Sequence, residues 1–378
     1  METKPIPATV IFILSLIISS CASSFKPSGP IIDEIIDETF ITEVQPWEDG
    51  LRTDPTGNSF EWWYFDASFN DGSTAVIVFS TKNILNPREK ADPNVSIIIT
   101  TPDGDKITVD DSPGIDGFKA STESLDVKVS NSYAIGNLSR CFIHFEKDGI
   151  EADLTFISRA PSWRPGSGKM YFDSEKEKYF AWLPAIPFGD VKGSLKYDGK
   201  EIKVIGTGYH DHNWGNVRLD KVMTQWYWGR ARIDDYTLIF SRMLTSPKYG
   251  SIRVPVFYLA KGNEILSSRE FDFTFTPSKW LRHSGGRDYP EEITMNVVQK
   301  DMQTKINITD PVFIEARDLL ENQPWLVKNL SSLFINPYYF RFNADFHLRI
   351  ENSTHTVEKS GNGIFEMMLL REKQTIHQ

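Results

Sequence analysis

Glu61-Trp62-Trp63-Tyr64-Phe65-Asp66-Ala67, followed by Asn70-Asp71 and the run AVIVFS, returns later as Gln225-Trp226-Tyr227-Trp228-Gly229-Arg230-Ala231, followed by Asp234-Asp235 and TLIFS. A second pair recurs in the same order. Leu195-Lys196-Tyr197 leading to Gly206-Thr207-Gly208-Tyr209-His210-Asp211 is echoed by Leu348-Arg349-Ile350 leading to Gly361-Asn362-Gly363-Ile364-Phe365-Glu366. Each copy therefore opens on an aromatic-rich strand and closes on a Gly-x-Gly strand, over about 150 residues, which is the mark of a duplication. An irregular insertion rich in Pro and aromatics precedes the closing strands of each copy, at 160–190 and 310–339.

Around these anchors the chain reads as short β-type runs: Thr74–Ser80, Val95–Thr100, Ala152–Ile157 and Thr237–Ser241. Turn signals separate them, at Asn70-Asp71-Gly72, Asp103-Gly104-Asp105 and Asp198-Gly199-Lys200. One helix is expected after Asp310-Pro311, through Ile314, Leu319 and Leu320 towards Trp325, because an Asp cap followed by Pro is a helix start. An all-β chain of this length predicts two tandem antiparallel β-barrels, at 51–220 and 221–374, since closure removes exposed sheet edges. A barrel of about eight strands has an interior that can hold one small ligand.

Composition agrees with a globular, aromatic-rich chain: 378 residues, 40% hydrophobic, 24% charged, with 25 Phe, 13 Tyr and 10 Trp. A net charge of −10 with scattered Lys and Arg argues against a nucleic-acid partner. The N-terminus is different. The apolar run ATVIFILSLII at 8–18 is too short to span a bilayer and suits a signal-peptide core. It ends Ile18-Ser19-Ser20-Cys21, which resembles a lipoprotein lipobox. The reading is a signal peptide at 1–20, lipidation of Cys21, a tether over 21–50, and a mature chain exported to the cell envelope and anchored to the outer face of the membrane. A plain secretory signal or a short membrane anchor would also export it. Lipidation leaves Cys141, in the run CFIHF, unpaired and best read as a small buried hydrophobe. Five glycosylation sequons, at Asn94, Asn137, Asn307, Asn329 and Asn352, matter only where exported chains are glycosylated.

The copies diverge at one place. The first ends Tyr209-His210-Asp211-His212-Asn213-Trp214-Gly215, where the second has the nearly apolar Ile364-Phe365-Glu366-Met367-Met368-Leu369. On a strand His210, His212 and Trp214 share one face, and Asp211 and Asn213 the other. Three roles fit: a metal site, which lacks further ligands nearby; an acid–base group beside a Trp-lined apolar pocket; or a hydrogen-bonded knot joining the barrels. Likewise Trp62 and Tyr64 share a face, with Glu61 and Trp63 opposite, and either core packing or a pocket wall would suit them. Asp234 and Asp235 read as a hairpin turn.

Glu61-Trp62-Trp63-Tyr64-Phe65-Asp66 together with Gly208-Tyr209-His210-Asp211-His212-Asn213-Trp214-Gly215 resembles the carotenoid 1,2-hydratase (hydroxyneurosporene synthase) and AttH-like family, over roughly residues 50–372. That resemblance implies two lipocalin-like, calycin-type barrels. It also implies cofactor-free chemistry on a polyene or isoprenoid, as a carbon–oxygen lyase that hydrates an alkene or as a cyclase. By this analogy His212 and Trp214 are catalytic with Asp211 in support. Glu61, Trp62, Tyr64, His210, Trp226, Trp228 and Tyr236 are expected to bind substrate, with Asp234 or Asp235 beside Tyr236. No metal or other cofactor is expected. The alternative is an envelope lipoprotein that binds a lipid or isoprenoid without turning it over. A purely structural protein with filled barrels stands third.

Overall fold

Alternation builds the sheets. Along Thr74–Ser80 every second residue is buried, and the same holds from Asn94 to Thr100. Each strand therefore lays Ala75, Ile77 and Phe79, or Val95, Ile97 and Ile99, onto one apolar face. The computed structural model describes residues 43–83, 87–267, 271–318 and 337–370. Cys21, the expected signal peptide and most of the expected tether lie outside them, as does Asn329.

The first sheet contains β1 (Phe60–Phe69), β2 (Thr74–Ser80), β3 (Asn94–Thr100), β4 (Lys106–Asp111), β5 (Phe118–Ala120) and β6 (Asp126–Val129). It continues with β7 (Ser132–Asn137), β8 (Arg140–Lys147), β9 (Ile150–Ser158), β10 (Lys169–Tyr171), β11 (Tyr179–Tyr197) and β12 (Lys200–Gly215). Its order is β4-β3-β2-β1-β12-β11-β9-β8-β7-β6-β5, with β10 added beside β11. A short helix, α1 (Leu219–Val222), leads to the second sheet. There follow β13 (Met223–Ile233), β14 (Tyr236–Thr245), β15 (Arg253–Lys261), β16 (Glu264–Ser267) and β17 (Asp272–Arg282). The chain ends with β18 (Asp288–Gln299), β19 (Met302–Asp318), β20 (Tyr338–Glu351) and β21 (Thr356–Leu369), in the order β16-β15-β14-β13-β21-β20-β19-β18-β17.

The duplication is visible in these orders. β1 lies between β2 and β12 as β13 lies between β14 and β21. Registers match too: Tyr64 pairs with Asp211 and Trp228 with Glu366, so those carboxyls occupy equivalent positions. Both units are curled antiparallel sheets of lipocalin-like type. They are half-barrels, since among the described residues no ladder joins β4 to β5 or β16 to β17. Their interiors are filled, the first by Trp63, Phe65 and Phe156 among others and the second by Tyr227, Phe240 and Phe342. The expected ligand space inside a barrel is thus occupied by side chains. Cys141 is a free buried residue of the first core.

Two expectations are corrected here. The chain from Asp310 continues β19 as a strand through Asp318, pairing Val312 with Asn343 and Phe313 with Phe342. Asp310 takes φ 54° ahead of Pro311 and the register shifts between Thr309 and Val312. The residue before proline is biased away from the helical region, so a bulge forms in place of a cap. Leu319, Leu320 and Trp325 lie outside the described residues. The last part of the tether is also structured. Pro46–Asp49 forms a 3-10 turn whose Glu48 and Asp49 are buried against the first sheet.

The Gly-x-Gly strands have a steric cause. A Cβ on Gly208 would lie 2.5 Å from the Asp66 carbonyl oxygen and 2.6 Å from the Phe156 ring. At the equivalent Gly363 it would lie 2.5 Å from the Arg230 carbonyl oxygen. Gly208→Ala is expected to destabilise by about 1–3 kcal/mol through overpacking, read as a lower urea midpoint at unchanged slope.

Candidate functional site

The two faces of β1 and β12 do different things. Trp63, Phe65, His210 and His212 turn into the first sheet, while Trp62, Tyr64, Tyr209, Asp211 and Asn213 turn towards the second.

On the inward face the two histidines hold the returning segment 48–53. His210 donates from Nδ1 to the Tyr64 carbonyl oxygen and from Nε2 to Asp49 Oδ2, both at 3.0 Å. His212 donates from Nε2 to Glu61 Oε1 at 2.7 Å and from Nδ1 to the Glu48 carbonyl oxygen at 3.2 Å. Carbonyl and carboxylate oxygens only accept, so each ring is placed to donate from both nitrogens. Burial opposes the charged form of His210. The adjacent Asp49 carboxylate outweighs it and holds the imidazole above its ordinary range. Glu61 also accepts from the backbone N–H groups of Arg52 at 2.7 Å and Thr53 at 2.8 Å. The rings stack on Phe65 and Trp63, with centroids 4.0 and 4.6 Å apart. Both histidines and Glu61 have no solvent exposure.

Between the sheets lies a cavity of about 240 Å³. Trp62 and Tyr64 of β1, Phe180 and Trp182 of β11, and Tyr209, Asp211 and Asn213 of β12 form one wall. Trp226 and Trp228 of β13, Ser241 and Met243 of β14, Tyr339 and Arg341 of β20 and Glu366 of β21 form the other. Such a site, mostly aromatic with a few convergent polar groups at a domain interface, is where small ligands commonly bind.

Asp211 is the titratable centre of the first wall. Its Oδ2 accepts from Tyr209 Oη at 2.8 Å and Trp182 Nε1 at 2.9 Å, and its Oδ1 from Asn213 Nδ2 at 2.7 Å. Burial pushes its pKa up to about 6, and the three donors hold it from rising further. The second wall carries a carboxyl at the duplicated position. Burial also raises Glu366, against the opposing pull of Arg341. Among the described residues no group of three His, Cys, Asp or Glu side chains is placed to hold a metal ion.

Of the residues expected at the site, Asp211, Trp62, Tyr64, Trp226 and Trp228 line the cavity together. Glu61, His210 and His212 do not: the knot they form with residues 48–53 faces away from it. Trp214 packs beside His212 in a satellite cluster with Ala181 and Leu183. Tyr236 lies in the second core, and Asp234, in the exposed β13–β14 hairpin, pairs with Lys359 at 2.8 Å. Sequence reasoning missed Trp182, Tyr209, Tyr339, Arg341 and Glu366 as site residues. Glu366 could have been found from its place in the repeat; nothing local in sequence marks Arg341.

Two curated relatives carry a related name. The chain is 40% identical over 93 residues to the quinolone epoxide rearrangement protein penF of Penicillium thymicola, covering 24% of this chain and 26% of that protein. It is 24% identical over 254 residues to the quinolone epoxide rearrangement protein asqO of Emericella nidulans, covering 61% and 67%. The chain thus spans about a quarter of the first relative and two thirds of the second. A crystal structure of a putative AttH from Nitrosomonas europaea shares the fold, with a TM-score of 0.58 at 17% identity over 87% of this chain and 98% of that one. The AttH-like family profile matches residues 55–312, and the chain belongs to that family.

Proposed function

We propose that this chain is a cofactor-free enzyme that transfers protons to and from an apolar, unsaturated small molecule held between the two sheets. Asp211 is the proton-transfer group. The observation that carries this reading is a carboxyl with a pKa of about 6 inside a cavity walled by tryptophans. A carboxyl near neutrality can give a proton to an alkene or an epoxide oxygen and take one back, the two halves of acid–base catalysis. Trp62, Trp226 and Trp228 offer ring faces that favour a developing cation. Rearrangement and cyclisation of a polyene or isoprenoid balance by proton movement alone. Hydration consumes one water: the carboxyl gives a proton to one alkene carbon while water adds to the other and returns its proton. The names of penF and asqO place an epoxide rearrangement among the relatives of this chain, which supports the same proton chemistry.

The test incubates purified protein with an aryl epoxide and an acyclic terpene polyene in ¹⁸O-labelled water, followed by mass spectrometry. Isomerised or labelled product above a boiled control is expected. Conversion no greater than the control for either class would contradict the reading.

The location belongs to the same proposal. Ala8–Ile18 followed by Ser19-Ser20-Cys21 supports export and lipidation at Cys21. In a bacterial host, labelled palmitate is expected in the full chain and absent after Cys21→Ala; equal labelling of both would overturn the anchor.

A further inference from the structure

A second polar cluster beside the cavity is built from both sheets. Asp66 of β1 receives three donors. Arg230 of β13 bonds its Oδ1, while Tyr64 Oη at 3.1 Å and Arg341 Nη2 at 3.2 Å bond its Oδ2. Arg341 Nη1 also donates to Tyr64 Oη at 3.1 Å. Its Nε makes no hydrogen bond, and the nearest carboxylate oxygen, Glu366 Oε1, is 3.6 Å away. Arg230 Nε is likewise buried without a partner.

Two guanidinium groups therefore share one fully engaged carboxylate. Glu366 is the other acid of this cluster, and burial favours its neutral form. The cluster sets two guanidinium groups, each with an unpartnered Nε, against Asp66 and the more distant Glu366 carboxyl, beside a cavity that is otherwise aromatic. A buried cation without full compensation is costly unless an anion completes it. A planar guanidinium fork suits a carboxylate, enolate or phenolate oxygen.

Resting on the reading of this cavity as the active site, we propose that Arg341 anchors an acidic oxygen of the substrate. The substrate class is then an apolar unsaturated molecule that bears a carboxylate, enolate or phenolate. Its unsaturated body lies among Trp62, Trp226 and Trp228. Tyr209 touches both groups: its ring lies 5.2 Å from the Arg230 guanidinium carbon and its hydroxyl bonds Asp211. Arg341 fixes the oxygen end while Asp211 addresses the unsaturation.

The test compares 2-naphthoate with methyl 2-naphthoate, two bicyclic probes that differ in charge, by quenching of the cavity tryptophans at pH 7.5. The unaltered chain is expected to bind the acid about tenfold or more tightly than the ester, as a charge-assisted hydrogen bond implies. Arg341→Gln removes that preference and leaves ester affinity within about threefold. Asp211→Asn keeps the preference, which separates this proposal from the catalytic one: loss of turnover would concern Asp211, and loss of acid selectivity Arg341. Should Arg341→Gln fail to fold, Arg341→Lys retains the charge without the fork and lowers the preference. Equal affinity of the unaltered chain for both probes would overturn the proposal and leave the cluster as a tie between sheets. So would binding of neither probe, or a preference that survives Arg341→Gln.

Discussion

Asp211→Asn is expected to lower turnover by about a hundred- to ten-thousandfold and, at pH 7.5, to make the protein more stable. The first effect removes the only titrating atom of the proposed chemistry. The second follows from the sign of its pKa shift. The folded-state value of about 6 lies above the ordinary carboxylate value of 3.8, so the native chain binds this proton more tightly than the unfolded one. Stability from that proton is complete below pH 4 and is lost as pH rises through about 6. At pH 7.5 an ionised Asp211 then costs about 3 kcal/mol, at 8% exposure with little solvent to screen it. Asparagine escapes this cost. Its Oδ1 accepts from Tyr209 and Trp182, and its Nδ2 donates to a flipped Asn213. Denaturant titrations of both chains should differ at pH 7.5 and converge near pH 4. A variant less stable at pH 7.5 would mean that the carboxylate stabilises the fold, and full turnover would remove Asp211 from the chemistry.

Glu61→Ala is expected to destabilise the fold by about 3–5 kcal/mol. It leaves His212 Nε2 without its acceptor in a region closed to water, and takes the acceptor from the partly buried Arg52 and Thr53 amides and the Thr53 hydroxyl. Segment 48–53 would lose its hold, and Asp49 with it. The cavity lies on the opposite face of β1, so ligand affinity per folded molecule should be unchanged. A denaturation midpoint equal to that of the unaltered chain would refute this account of the histidine knot. A folded variant with abolished turnover would return His212 and Glu61 to the chemistry.

Much of the architecture was legible because duplication and alternation are written in local spacing. The Trp62 and Trp226 strands do open equivalent sheets, and His210, His212 and Trp214 do share a face opposite Asp211 and Asn213. Alternation separates two faces without saying which of them meets a cavity. The paired histidines drew attention because imidazole is the side chain whose ordinary pKa lies near neutrality. Their partner, Asp49, lies 161 residues away from His210, in a stretch that reads as tether. Likewise Arg341 reaches Tyr64 across 277 residues, a contact set by sheet-on-sheet packing and unmarked in either local sequence. Asp310-Pro311 misled for a related reason: the same dipeptide starts helices and makes bulges, and pairing with β20 decides between them.

The indole N–H of Trp182 reports directly on Asp211, to which it donates at 2.9 Å. In ¹⁵N-labelled protein without ligand, with the signal assigned by Trp182→Phe, its resonance should titrate with a midpoint of about 6, and Asp211→Asn should flatten the curve. A resonance that does not move between pH 5 and pH 7 would show a carboxyl that does not change charge in that range, and would contradict its role as the proton-transfer group of this cavity.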